Sequence, residues 1–169
     1  MLQAVDIYTL VGLLSFVSTK EWTQVALADY LLLSTPTLTR SLTRLEMAAL
    51  WRREERSVAI TAAEGVLLHG VRYFVPAVLG TLARGVPTAH SAPPLADHLG
   101  AEGAPVWPNG RGASMGISVT PLHAAAPEAA LAHPELHELL AIVDSLRLGR
   151  ARERSLAASA LQDRLEARQ

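Results

Sequence analysis

The six histidines are the residues of this chain best suited to holding a metal or moving a proton. His133-Pro134-Glu135-Leu136-His137 sets two imidazoles four residues apart, a spacing that presents both on one helix face. The glutamate is misplaced for the HExxH pattern of zinc proteases, and Pro134 puts His133 just outside the helix. Surface or capping histidines are therefore the expectation, and no metal ligand is assigned. His137-Glu138-Leu139-Leu140-Ala141 departs from the same pattern by ending in Ala141. Asn109-Gly110-Arg111-Gly112 lacks the lysine and helix context of a phosphate-binding loop and reads as a turn. No serine lies in a nucleophile-elbow sequence. Cysteine is absent, which excludes a disulfide framework, a thiolate zinc site, an iron–sulfur cluster and a cysteine nucleophile. No catalytic residue and no cofactor is assigned, and an enzyme is not expected.

Arginine is the other chemically capable type. Lys20 is the only lysine among 15 basic residues, so nearly every cation here is a planar guanidinium suited to phosphate and guanine. A GC-rich genome would produce the same bias. The 15 basic and 16 acidic residues give a formal charge of −1, so any nucleic-acid contact must come from a local patch. Arg147, Arg150, Arg152 and Arg154 beside Asp144 and Glu153 read as solvated charges and local ion pairs around a helix break. The sharper alternative is a second phosphate- or partner-binding surface, and Arg84 with His90 could likewise belong to an interface.

The elements that must position these residues fall into three compositional stretches. Nine of the ten prolines and seven of the eleven glycines lie between Pro76 and Pro134. Residues 1–74 come before the proline- and glycine-rich stretch, 75–133 contain it, and 134–169 return to helical patterning.

In the first stretch, Ile7, Leu10, Val11, Leu14 and Val17 follow the spacing of an amphipathic helix over Val5 to Val17. The apolar run Leu10–Val17 is too short to span a membrane. With Asp6 before it and no basic leader or cleavage site, it is not read as a signal peptide. A second helix is expected from about Gln24 to Leu31, capped by Thr23. A third begins after Ser34, takes Pro36 in its first turn where the missing N–H is harmless, and runs to about Ala49 with Leu38, Leu42, Leu45 and Ala49 buried. Trp51 to Ile60 suits a short β-hairpin with a polar tip. Thr61-Ala62-Ala63-Glu64 is a capping-box sequence, predicting a fourth helix from Ala62 to near Phe74.

The middle stretch is expected to be largely ordered by packing on its neighbours, with brief strands at Val106-Trp107 and Ile117-Ser118-Val119 and a helical turn or two between Pro94 and Leu99. A flexible Pro/Ala-rich linker is the alternative. Pro134 opens a helix carrying Leu136, Leu139, Leu140, Val143 and Leu146, Gly149 interrupts it, and Arg150 to Arg168 forms a last helix with Leu156, Ala160, Leu161 and Leu165. Such a terminal pair is dimerisation material, or else packs back on its own chain.

The stretch from Thr23 to Glu46, with Leu27-Ala28-Asp29-Tyr30-Leu31, Leu33-Ser34 and Thr37-Leu38-Thr39-Arg40-Ser41-Leu42-Thr43-Arg44-Leu45, resembles the helix-turn-helix of MarR-type bacterial regulators. The resemblance covers about residues 5–74 and implies a winged helix-turn-helix domain, in a fold that is mainly α with a small β-hairpin wing. In that scheme Ala28 is small because two helices cross there, and Leu27, Leu31 and Leu33 seal the crossing. Ser34 caps the recognition helix, and Leu38, Leu42 and Leu45 anchor it from behind. Thr35, Thr37, Thr39, Arg40, Thr43 and Arg44 would then face the major groove, while Arg52, Arg53 and Arg56 would touch backbone phosphates. Two features depart from the pattern. Leu32 stands where glycine usually takes a positive φ, at roughly 1 kcal/mol. The hairpin is short and carries Glu54 and Glu55, which phosphates repel. Leu82–Ala89 and Asp144–Arg154 are similar to stretches of uncharacterised bacterial proteins with a comparable N-terminal part, which assigns no activity.

The function expected from these readings is a cytoplasmic transcriptional regulator binding double-stranded DNA as a homodimer. The alternative is a protein-binding module, an antitoxin-like or adaptor subunit gripping its partner through residues 75–169. A membrane is not expected as a partner.

Overall fold

The computed structural model describes residues 1–16, 22–99 and 103–168. Helix α1 (Ala4–Phe16) occupies the expected span, and Val17 lies outside the described residues. The one-sided apolar stripe expected of it is a correction: every residue from Asp6 to Ser15 is buried. Helices α2 (Gln24–Leu31) and α3 (Thr35–Met47) cover part of its surface, and helix α8 (Pro134–Leu148) packs elsewhere on it. A helix enclosed this way needs apolar residues all round, which Ile7, Leu10, Val11, Leu13 and Leu14 supply.

Both early caps form as expected. The Thr23 hydroxyl accepts from the Ala26 N–H at 3.1 Å, and the Ser34 hydroxyl accepts from the Thr37 N–H at 3.3 Å. Between them Leu32 adopts φ 52° and ψ 39°, the left-handed conformation that closes the turn. Helix α3 stops at Met47, short of the expected Ala49. Ala49 has φ 57° and is exposed, while Leu50 takes the buried place, its N–H donating to the Leu45 carbonyl at 2.9 Å.

Strands β1 (Trp51–Arg52) and β2 (Ser57–Val58) pair antiparallel, Trp51 with Val58 and Arg52 with Ser57, and form the expected hairpin. The following helix starts earlier than Thr61-Ala62-Ala63-Glu64 suggests. Helix α4 spans Ile60–Gly65 with Ala59 before it and no side-chain cap; Glu64 instead accepts from Gln162 at 3.0 Å. A π-helical turn (Val66–Gly70) then leads into α5 (Val71–Phe74), so the expected run to Phe74 is widened in its middle.

Among the described residues the proline- and glycine-rich stretch holds three strands, β3 (Leu79–Pro87), β4 (Pro105–Pro108) and β5 (Ser114–Val119). β3 runs antiparallel to both β4 and β5, and β4 runs parallel to β5, so each strand borders the other two. Such close quarters exclude side chains at some positions. A Cβ on Gly85 would collide with the Trp107 carbonyl, and one on Gly116 with the Ala104 carbonyl. Helix α6 (Ala96–Leu99) falls within the expected turn region, whereas β3 and α7 (Ala126–Ala132) were not foreseen.

Helix α8 begins at Pro134 and stops at Leu148, before Gly149, and α9 (Ala151–Glu166) follows, as the sequence indicated. Their apolar faces fold back on the same chain. Leu136, Leu139, Leu140, Val143 and Leu146 are buried, as are Ala157, Leu161 and Leu165. One continuous apolar cluster contains these residues together with Leu10, Leu38, Leu67, Val86 and Trp107, so all three compositional stretches contribute to the same core. Among the described residues no helix is long and apolar enough to cross a membrane.

Candidate nucleic-acid interface

Helix α3 divides cleanly. Leu38, Leu42 and Leu45 are buried beneath it, and Thr35, Thr39 and Thr43, spaced four apart, stand exposed in a row with Arg40 beside them. Thr37 is half-buried, its hydroxyl accepting from Ser34 at 2.8 Å. Thr39 and Thr43 donate to the carbonyls of Thr35 and Thr39 at 2.9 and 3.0 Å, which leaves the Thr39 oxygen able to accept from outside, while the Thr43 oxygen already accepts from Arg53 Nη2 at 3.4 Å. The Arg40 guanidinium touches only Thr37 Oγ1, at 3.4 Å, among the described residues. It is thus an exposed cation without a carboxylate.

The other arginines expected at the interface have partners of their own. Arg44 reaches from α3 back to α1, its Nε and Nη2 donating to Asp6 at 2.8 and 2.7 Å. Asp6 is wholly buried and also accepts from the Ser41 hydroxyl and the Gln3 N–H, each at 2.7 Å. The bonds to Asp6 push the Arg44 pKa up, and they commit its guanidinium to holding α3 on α1. On the hairpin, Arg53 donates to Glu46 at 2.7 Å and Arg52 to Glu55 at 3.2 Å. Arg56, at a φ of 49°, donates to the Trp22 carbonyl and lies 4.9 Å over the Trp22 ring. Arg52, Arg53 and Arg56 are exposed, but each is already engaged.

Two residues escaped the sequence reading. Gln24, at the start of α2, places its carbonyl oxygen 3.4 Å from the Thr39 hydroxyl and so borders the α3 face. Asp6 was legible in principle, because an acid inside an apolar helix must find a partner once buried.

Away from α3, the C-terminal charges also differ from expectation. Asp144 and Arg147 are buried and paired at 2.5 Å. Asp144 accepts from the Thr88 hydroxyl at 2.7 Å and the Trp107 indole N–H at 2.8 Å, while Arg147 donates to the Val75 carbonyl at 2.8 Å. This network ties α8 to β4, to the end of β3 and to the segment after α5. Arg150, Glu153 and Arg154 do what was expected around a helix break: Glu153 accepts from the Arg150 N–H at 2.7 Å, and Arg154 donates to the Gly149 carbonyl at 2.6 Å.

The histidine pair is drawn apart. His133 packs against Tyr30 with the rings tilted by 32° and their centroids 4.1 Å apart, and His137 Nε2 lies 2.7 Å from the Pro87 carbonyl. His123 stacks on Tyr8 at 5.5 Å, and burial lowers its pKa while raising that of the Tyr8 phenol. A cleft of about 300 Å³ is lined by Ser15, Phe16, Tyr30, His133, Pro134 and Glu135. Compared with known proteins, the chain matches no family model, no curated protein and no solved structure.

Proposed function

We propose that this chain is a winged helix-turn-helix regulator that binds double-stranded DNA as a homodimer inside the cell. Its α3 helices would enter the major groove at half-sites about one turn, roughly 10 bp, apart. The observation that carries the reading is α3 itself, anchored by Leu38, Leu42 and Leu45 and offering Thr35, Thr39, Arg40 and Thr43 to solvent. Hydroxyls accept from and donate to base edges and phosphates, and an exposed arginine suits guanine. The order of three helices, a two-stranded hairpin and a further helix supports the same reading. Arg52 and Arg53 would meet phosphates only by exchanging Glu55 and Glu46 for them.

The test is fluorescence anisotropy with the DNA upstream of the protein's own gene and a scrambled duplex, across a salt series. Selective binding with a steep salt slope, weakened about tenfold or more by Arg40→Glu, is the expected result, since a good base contact is worth about 1–3 kcal/mol. Binding that ignores sequence, or that survives Arg40→Glu unchanged, overturns the assignment. A protein-binding module is the second reading, favoured by one observation: the hairpin arginines all have partners within the chain.

A further inference from the structure

A row of apolar side chains is left uncovered on the ribbon of β3 and β5. In register, Leu79 stands opposite Val119, Leu82 opposite Ile117 and Arg84 opposite Met115. The bulge between Leu79 and Leu82 absorbs one residue, so all three pairs line the same side. Val119 is buried, but Leu79, Leu82 and Met115 are 59%, 65% and 53% exposed, and Ile117 is 37% exposed. Val78 is exposed too, as are Tyr73 and Phe74 at the end of α5, which about 14 Å of extended chain at most separates from Val78.

We infer that this ribbon face is where two copies of the chain meet. The inference rests on the homodimer reading above and gives it a location. Scattered exposed leucines are ordinary on a monomer, but cross-strand pairs of them form a continuous patch. The uncovered side chains of Val78, Leu79, Leu82, Met115 and Ile117 amount to several hundred Å², of the order of the roughly 800 Å² that a stable interface covers on each partner. The helices first expected to dimerise, α8 and α9, have their apolar faces occupied within the chain.

Self-association also suits the charge pattern. Arg84 is the one charged residue among the three register pairs, and it stands at one end of them. A twofold contact centred on Leu82 and Ile117 brings that apolar pair against its own copy. It sends the two Arg84 side chains to opposite ends, where neither is buried against the other.

Sedimentation velocity on the full chain without DNA tests the inference at micromolar concentration. The wild type is expected at twice the 18.1 kDa chain mass. Leu82→Glu and Ile117→Glu are expected as monomers with unchanged circular dichroism, and Leu82→Ser, a milder change, should weaken the dimer at least tenfold. Val25→Glu, at an exposed apolar position on α2, should remain dimeric. A monomeric wild type, or a dimer that persists in both glutamate variants, overturns the inference and leaves the face to another protein. Because no DNA is present, that failure is read separately from a failure of the α3 assignment, which the anisotropy of Arg40→Glu reports.

Discussion

Removing the Arg44 side chain separates a structural arginine from a DNA-contacting one. In Arg44→Ala the Asp6 carboxylate keeps the Ser41 hydroxyl and the Gln3 N–H but loses both guanidinium bonds while remaining wholly buried. Breaking a buried ion pair by deleting one member costs about 3–5 kcal/mol. Here the Arg44 side chain is 23% exposed and Asp6 retains two donors. The expected loss is therefore smaller, about 2–3 kcal/mol. For a chain of this size each kcal/mol lowers the melting temperature by about 2–4 °C, so the midpoint should fall by about 4–12 °C. Arg40→Ala, four residues away and unpaired with any acid among the described residues, should change stability by no more than about 0.5 kcal/mol. Urea unfolding followed by circular dichroism and tryptophan fluorescence measures both. Arg44→Lys should recover part of the loss, because an ammonium restores the charge without the two-pronged geometry. A cycle of Asp6→Ala, Arg44→Ala and the double variant should show a coupling energy above about 1 kcal/mol. If Arg44→Ala is as mild as Arg40→Ala, or the cycle shows no coupling, the bridge does not hold α3 to α1 and Arg44 returns to the groove-facing set.

Three further outcomes follow from the same geometry. Asp144→Asn strands the Arg147 guanidinium among the Val75 carbonyl and apolar neighbours, and should cost about 3–5 kcal/mol in a thermal melt; a loss below about 1 kcal/mol would remove the network from the fold's supports. Leu32→Gly relieves a positive φ at an exposed position and should stabilise by about 1 kcal/mol in urea, whereas a loss would mean that the Leu32 side chain packs favourably. Burial holds His123 below its ordinary 6.5, so the unfolded chain takes up that proton first. Stability from this residue is therefore complete above pH 6.5 and declines as pH falls toward the folded-state value. His123→Phe should flatten the wild-type decline between about pH 7 and pH 5, and a parallel decline in both proteins would refute the assignment.

The legibility of the chain follows the range of the forces involved. Thr23, Ser34 and Pro36 mark the ends of α2 and α3, and Gly149 marks the break between α8 and α9, because caps and breakers act within a turn of where they stand. The hairpin at Trp51–Val58 and the row Thr35, Thr39, Thr43 are likewise readable, since alternation and fourfold spacing are local periods. The capping-box sequence at Thr61 shows the limit of that method: a local pattern gives way when Ile60 is drawn into the core's edge and Glu64 finds Gln162.

What tertiary structure alone decided is which side chains meet across distant parts of the chain. Asp6 and Arg44 are 38 residues apart, and Asp144 meets Thr88 across 56. No periodicity encodes such pairings, yet they determine which arginines are committed within the chain. The composition of β3, with Gly80 and Gly85 among its nine residues, reads as loop until β4 and β5 stand close enough to forbid a side chain. Local pattern was therefore enough for α1, α2, α3, α8, α9, the hairpin and the threonine row of α3, but not for α7 or β3. Burial of α1 on opposite sides, the commitment of Arg44 and Arg147, and the open apolar ribbon arose only when the three stretches packed together, because burial and ion pairing depend on neighbours brought in from elsewhere in the chain.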